Sequence, residues 1–175
     1  MERFKLVRPD PTYEREVMAY RAEMLEASSS MDGMGTMRQM KSYADWLEKT
    51  RAMERKETLP PDLVTADLYL YVRESDGKVV GMIQFRHYLN AVLAEHGGHI
   101  GYSVRPSERR KGYATGMLAA CLPKCRERGL NRVLITCKQA NEGSRRTILA
   151  NGGVLENAVY VESEHDTFER YWITL

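Results

Sequence analysis

Apolar side chains change their spacing along the chain, and each spacing predicts one kind of element. Between Tyr13 and Ala27 they recur at helical intervals, and a second helix is predicted from about Met40 to Arg55. From Asp67 to Arg73 they alternate, Ser75-Asp76-Gly77-Lys78 is a typical hairpin turn, and Val79 to Phe85 reads as the next strand. The first half therefore contains two helices followed by a β-hairpin.

The second half alternates between strands and helices. Its predicted elements are a strand His99 to Val104, a helix Gly112 to Arg128, a strand Arg132 to Cys137, a helix Glu142 to Asn151, and strands Val154 to Val161 and Phe168 to Thr174. With a first strand at Phe4 to Val7, the order is β-α-α-β-β-β-α-β-α-β-β. This order predicts an α/β (α+β) fold, and the length predicts a single domain over residues 1–175.

Composition narrows the class of protein. The chain has 175 residues, of which 43% are apolar and 29% charged, as in ordinary globular proteins. Its longest apolar run, Met117 to Leu122, is too short to cross a bilayer, and charges interrupt the apolar residues of the N-terminus, unlike a secretory signal. We therefore expect a cytoplasmic protein without a membrane partner. The three cysteines favour buried thiols over a disulfide framework.

The segment from Ile100 to Thr115 is the most informative part, because it runs from a strand through a basic turn into a helix. The first N–H groups of a helix lack internal partners, and the helix dipole adds positive charge there. Gly112 lets the backbone approach an anion, while Arg109, Arg110 and Lys111 supply positive charge. The pattern predicts a diphosphate site, with a solvated turn as the alternative; neither a P-loop nor G-x-G-x-x-G is present.

Arg109-x-x-Gly112-x-Ala114 resembles the Q/R-x-x-G-x-G/A motif of the GCN5-related N-acetyltransferase (GNAT) family. A strand precedes the motif, another follows its helix, and Asn141 and Ser144 open the next helix. The resemblance is specific between about Val79 and Gly153 and topological elsewhere. It implies a mixed, mostly antiparallel central sheet of about seven strands with flanking helices.

The resemblance also implies acetyl-CoA as co-substrate and suggests where it binds. Strand residues would present backbone groups to the pantetheine arm, with the Val104 amide polarising the thioester, and the loop and first helical turn would hold the pyrophosphate. The implied cofactor-binding residues are Tyr102, Ser103, Val104, Arg109, Arg110, Lys111, Gly112, Tyr113, Ala114, Thr115, Asn141 and Ser144.

The implied reaction is direct attack of a primary amine, from a small molecule or a peptide, on the acetyl thioester. Near neutral pH the amine must first lose a proton, so a base matters more than an acid. Many family members carry a glutamate five residues before the asparagine and a tyrosine seven residues after it. This chain has Thr136 and Ile148 there.

Substitutes must come from elsewhere. His99 is the predicted base, with a hydrogen-bonded strand-end histidine as its alternative reading. Tyr160 is the predicted acid, with packing in the sheet as its alternative, and Tyr171 and Glu156 are further candidates. His96-x-x-His99 lacks a convincing set of cysteines or carboxylates, so no metal site is predicted.

The distribution of charge along the chain indicates which kinds of partner to expect. The net charge is only +2, but residues 105–146 carry +8 and residues 147–175 carry −4. This distribution favours an anionic cofactor on the central segment and a cationic amine near the C-terminal end. Tyr113 is the one aromatic residue in the basic segment, so no nucleic-acid partner is expected.

Two questions stay open at the level of sequence. Because Thr136 and Ile148 replace the usual catalytic residues, a non-catalytic acyl-CoA-binding module is the alternative to an enzyme. The acceptor should lie near the first two helices, their loop Ser28 to Gly35 and the C-terminal hairpin. The methionines of this region either line an adaptable pocket or pack in the core; they are Met31, Met34, Met37 and Met40. A homodimer is the one assembly considered.

Overall fold

The computed structural model describes residues 2–175, and within them seven strands and four α-helices follow one another. In chain order they are β1 (Phe4–Val7), α1 (Glu14–Glu26), α2 (Tyr43–Ala52), β2 (Ala66–Arg73), β3 (Val79–Arg86), β4 (Ile100–Val104), α3 (Tyr113–Glu127), β5 (Arg132–Lys138), α4 (Glu142–Ala150), β6 (Val154–Val161) and β7 (Asp166–Thr174). The predicted α/β class is confirmed.

The strands form two hydrogen-bonded antiparallel sheets. One has the order β1-β2-β3-β4 and the other the order β5-β7-β6. The sequence predicted one central sheet, but the ladder of backbone hydrogen bonds stops between β4 and β5. These two strands are neighbours that do not pair along their length, and a gap separates them.

The two sheets are joined at the start of β4. The backbone N–H of His99 donates to the Leu134 carbonyl at 2.7 Å, and the Leu134 N–H donates to His99 Nδ1 at 2.9 Å. Close by, the Thr136 hydroxyl donates to the His96 carbonyl at 2.6 Å. We call the His99–Leu134 contact the junction; beyond it, β4 and β5 diverge toward Val104 and Lys138.

Two apolar cores lie on opposite faces of the four-stranded sheet. Leu68, Leu70 and Val72 of β2 pack against α1 and α2, whereas Tyr69 and Tyr71 belong to the core that includes α3. Successive residues of a strand point to opposite faces, so a strand covered on both faces is apolar at nearly every position.

The loop between α1 and α2 belongs to the first of these cores. Met34, Met37 and Met40 are buried, and Trp46 Nε1 donates to the Met34 carbonyl at 2.9 Å. Arg21 Nε donates to the Met37 carbonyl at 3.0 Å. These methionines therefore pack in the core, and the loop that carries them is fixed in position.

The remaining surface has two features that bear on the expected partners. Strand β6 forms an edge of its sheet and exposes Val154, Leu155 and Tyr160. No helix within residues 2–175 is long and apolar enough to cross a membrane. The homodimer stays a prediction.

The α1–α2 loop approaches β4 so closely that it requires glycine. Gly33 has φ +74°, and a Cβ added there would lie 2.4 Å from the Gly101 carbonyl oxygen. Gly101 in turn faces the Gly33 amide, since its own added Cβ would lie 3.2 Å from the Gly33 nitrogen. Two backbones meet here without intervening side chains, which fixes the loop against the strand.

Replacing Gly33 with Ala is expected to lower the free energy of unfolding by at least about 2 kcal/mol, because strain in the left-handed region adds to a backbone clash. Gly77→Ala is the matched control, since Gly77 has φ +71° with nothing near its missing Cβ. It should cost only about 1 kcal/mol. Urea unfolding measures the loss of unfolding free energy in each variant. Equal losses in Gly33→Ala and Gly77→Ala would contradict a close approach of the α1–α2 loop to β4.

Candidate functional site

The gap between β4 and β5 is a cleft of about 1030 Å³. The end of β4, the end of β5 and the first turns of α3 and α4 line it, together with the loop that follows α1. The junction closes one end, and the start of α3 forms the other. A space of this size suits an elongated ligand that lies along β4.

Strand β4 turns backbone groups toward this cleft. Its hydrogen bonds to β3 use alternate residues, as shown by Arg86 N–H to the His99 carbonyl at 2.7 Å and Arg105 N–H to the Val80 carbonyl at 2.9 Å. In an antiparallel ladder the intervening residues point the other way. The N–H groups of Tyr102 and Val104 therefore face the gap.

The turn before α3 presents a second set of unpaired amides. The first helical hydrogen bond joins the Gly116 N–H to the Gly112 carbonyl at 3.2 Å, so the N–H groups of residues 113–115 have no partner inside the helix. Gly112 has φ +79° and Arg110 φ +64°, which tightens the turn. These amides and the helix dipole give the α3 end of the cleft a positive potential.

The basic side chains beside this turn are less free than their sequence suggests. Arg109 donates to the Val104 carbonyl at 3.0 Å and to the Ser29 hydroxyl at 2.9 Å. Lys111 Nζ lies 2.8 Å from Glu108 Oε2. Arg110 makes no ion pair within residues 2–175 and lines the cleft. Two of the three expected mobile charges are thus held by the protein.

The Glu108 carboxylate fixes the turn before α3 through ion pairs. It is buried and pairs with Arg73 at 3.0 Å and Lys78 at 2.8 Å, as well as with Lys111. Burial opposes ionisation of this carboxyl, but hydrogen bonds from Lys111, Lys78 and Arg73 outweigh it and lower the pKa of Glu108 to about 2. The carboxylate stays charged and fixes the turn before α3.

Helix α4 faces β4 across the cleft. Asn141 caps the helix by accepting from the Ser144 N–H at 3.1 Å. The Ser144 hydroxyl lies 2.7 Å from the Tyr102 hydroxyl, and burial raises the pKa of Tyr102. Two hydroxyl groups from different elements therefore meet in the middle of the cleft.

Most of the predicted cofactor-binding residues meet on this cleft. Lys111 is the exception, because its ammonium pairs with Glu108 beneath the turn. The residues that line the cleft are Tyr102, Ser103, Val104, Arg109, Arg110, Gly112, Tyr113, Ala114, Thr115, Asn141 and Ser144.

The predicted catalytic side chains lie elsewhere. His99 is 6% exposed, is not part of the cleft wall, and uses Nδ1 in the junction. Burial, assisted by the charge of Arg86, lowers the pKa of His99 to about 4. Tyr160 is 56% exposed on the edge strand β6. Neither is placed to act on a ligand in the cleft, so the geometry does not support these two assignments.

The two further candidates for acid or base, Tyr171 and Glu156, already make hydrogen bonds within the protein. Tyr171 donates to Glu169 Oε2 at 2.7 Å, and Glu156 accepts from Trp172 Nε1 at 3.0 Å. Burial raises the pKa of the Cys137 thiol to about 11, which keeps it protonated. Within residues 2–175 no group of three or more histidines, cysteines or carboxylates is arranged to hold a metal ion.

His96 also belongs to the cleft, although the sequence pattern does not single it out as a catalytic residue. It lies in a short π-helical segment, Leu93–Gly97, predicted only as a loop, and its ring lines the cleft beside Phe168, with the ring centres 5.4 Å apart. Its Nδ1 is buried without a hydrogen bond, 3.4 Å from Glu95 Oε2. The neighbouring Glu95 was the only available signal, because a carboxylate often orients a reactive imidazole.

Comparison with known proteins identifies this architecture. Residues 35–152 match the model of the acetyltransferase (GNAT) family. The chain belongs to the GNAT family. Its members are acyltransferases whose co-substrate is acetyl-CoA. A search of curated proteins finds no match.

Solved structures share the fold of this GNAT chain. The microcin C7 self-immunity acetyltransferase MccE, in complex with acetyl-CoA and AMP, is 17% identical, with 98% of this chain and 92% of that chain aligned at a TM-score of 0.72. A ribosomal L7/L12 α-N-protein acetyltransferase bound to coenzyme A is 15% identical, over 98% and 94%, at 0.71. An acetyltransferase from Salmonella typhimurium that modifies the N-terminal serine of L7/L12 is 15% identical, over 98% and 95%, at 0.67.

Two GNAT positions depart from the common pattern, and the structure shows what they do. Ile148, where many members have tyrosine, is fully buried in the core shared with α3. Thr136, where many have glutamate, lines the cleft and donates its hydroxyl to the His96 carbonyl. The second replacement thus fixes the segment that carries the His96 imidazole.

Protonation of His99 should open the junction. The pKa of about 4 lies below the 6.5 of an ordinary imidazole, so the unfolded chain takes up a proton that the folded chain excludes. The contribution of neutral His99 to the free energy of unfolding is fully present above pH 6.5 and is lost as the pH falls toward 4. The loss amounts to about 3 kcal/mol.

His99→Asn places an amide oxygen near the position of Nδ1 and removes the titration. The free energy of unfolding, measured with urea between pH 7.5 and 4, should fall more steeply with pH for the native chain than for this variant. Parallel curves would show that His99 does not carry the difference.

Proposed function

We propose that this GNAT chain is an acetyl-CoA-dependent N-acetyltransferase that acetylates a primary amine of a small molecule or peptide. One observation carries the proposal: unpaired amides of β4 and of the first turn of α3 face the same cleft. The first set suits an extended pantetheine arm and the second a diphosphate. The spacing of both along one strand-to-helix unit matches a single elongated cofactor.

Acetyl-CoA would lie along β4. Its pyrophosphate would accept from the amides between Gly112 and Thr115, with Arg110 as the free cation. Its pantetheine arm would run along the free N–H groups of β4, beside the start of α4 at Asn141 and Ser144. The Val104 N–H is then available to the thioester carbonyl, where negative charge develops during attack.

His96 is the group we assign as general base. Its imidazole takes a proton from the acceptor's ammonium group, directly or through water, and the neutral amine nitrogen then bonds to the acetyl carbon. The nitrogen still carries one proton more than the amide product, and this proton passes to solvent. The carbon–sulfur bond then breaks and the electron pair leaves on the thiolate. The Tyr102–Ser144 hydroxyl pair, which is 2.7 Å apart, is positioned to return a proton to sulfur.

Gly112→Asp should weaken coenzyme A binding by at least about tenfold, because a carboxylate would face the pyrophosphate and occupy its space. Gly112→Asn has nearly the same size and backbone strain without the charge, so it should bind more tightly than the Asp variant. Calorimetric titration with coenzyme A measures both. Unchanged affinity in Gly112→Asp would refute this location for the pyrophosphate.

His96→Gln should lower kcat by about a hundredfold while leaving the dissociation constant of acetyl-CoA unchanged, as expected for loss of a general base. His165→Gln is the matched control, because His165 is an exposed histidine outside the cleft. Thiol release from acetyl-CoA across an amine panel gives kcat. Binding of acetyl-CoA without turnover by the native chain would instead support a non-catalytic acyl-CoA-binding module.

A further inference from the structure

Arg86 lies at the junction end of the cleft, where its guanidinium contacts backbone carbonyl groups. Its Nη1 donates to the carbonyls of Gly97 at 3.0 Å and Gly98 at 3.2 Å. Its Nη2 lies 3.7 Å from where a Cβ of Gly101 would be, on the face of β4 against which the Gly33 backbone also packs. The side chain lines both the main cleft and a second, mostly apolar cavity of about 460 Å³ beside α2.

The remaining donors of this guanidinium have no protein acceptor. A guanidinium carries five N–H groups, and within residues 2–175 neither Nε nor Nη2 of Arg86 makes a hydrogen bond. No carboxylate of the described chain pairs with it, whereas Arg105 pairs with Glu16 and Glu23. Burial lowers the pKa of Arg86, and the charge of Asp32 acts in the opposite sense. A partly buried charge with unused donors is stabilised when an anion binds it.

The phosphates of the cofactor are too far away to be that anion. Gly101 precedes Val104 by three residues, which is about 10 Å along a strand, and the anion site of α3 lies beyond Val104. The anion must therefore belong to the acceptor. Asp32 and Glu164 line the same cleft and would repel a doubly charged phosphate more than a single carboxylate. They also offer a place for the ammonium group.

We infer that the acceptor is an amine that also carries a carboxylate, and that the Arg86 guanidinium binds this carboxylate at the junction end of the cleft. The planar fork of arginine matches a carboxylate with two parallel hydrogen bonds. The inference rests on the proposed acetyl transfer and names the class of its acceptor.

The test compares acceptors that differ only in the carboxylate. Amino acids and short peptides are assayed with acetyl-CoA beside their C-terminal amides, which have the same amine and side chain. The native chain should show a kcat/KM at least about tenfold higher for the free acids, as expected for one charge-assisted pair. Equal values for acids and amides would overturn the inference while leaving acetyl transfer itself intact.

Substitution of Arg86 assigns the preference to its side chain. Arg86→Met should lower the acid-to-amide ratio of kcat/KM to about one, because a loss through the Gly97 and Gly98 carbonyls that Arg86 also holds would affect acids and amides alike. Arg86→Lys should keep part of the preference, because it retains the charge without the fork. Arg126→Met is the matched control, since Arg126 is an exposed arginine on α3 without an ion pair. A preference for acids that persists in Arg86→Met would refute the role of Arg86.

A binding measurement completes the test when a variant or an acceptor does not turn over. N-acetylated amino acids should raise the melting temperature of the coenzyme A-loaded native chain more than their amides do, and Arg86→Met should lose this difference. No difference in the native chain would overturn the inference. Failure of the proposed function is separately visible, as a chain that neither binds acetyl-CoA nor releases its thiol with any amine.

Discussion

The junction between His99 and Leu134 is the constraint on which the rest of the structure depends. Two hydrogen bonds join the sheets at the start of β4, one of them accepted by the imidazole rather than by the backbone. Buried N–H groups need partners, so the side chain satisfies the Leu134 amide where no ladder continues. Because pairing stops there, β4 and β5 diverge and the β4 amides remain free for a ligand.

The α3 end of the cleft depends on fixed backbone more than on mobile charge. Glu108 draws Arg73, Lys78 and Lys111 beneath the turn, and Arg105 is held by Glu16 and Glu23. These pairs hold Lys111 and Arg105, two of the basic side chains that the sequence concentrates here. What they leave is a rigid turn whose amides already point into the cleft, so little ordering is required when an anion binds.

The junction end has different chemistry. The Thr136 hydroxyl and the Arg86 guanidinium both hold carbonyls of the segment that ends in Gly97 and Gly98, which places the His96 ring on the cleft. An imidazole, an unpaired guanidinium and nearby carboxylates thus surround the space where an acceptor would meet the thioester. The cleft combines an anion site at one end with a mixed-charge site at the other.

The local features of the chain could be predicted from the order of its residues. Periodicity located the helices and strands to within a few residues, and the spacing of Arg109, Gly112 and Ala114 identified the strand-to-helix turn, because these signals arise between near neighbours. The different surroundings of His96 and His99, which are three residues apart, depend on the tertiary fold. Gly98 at φ +66° turns the chain between them, so that one imidazole is buried in the junction and the other lines the cleft. The sequence does not single out Arg86 either, because its lack of an ion pair within residues 2–175 can be recognised only from the three-dimensional structure.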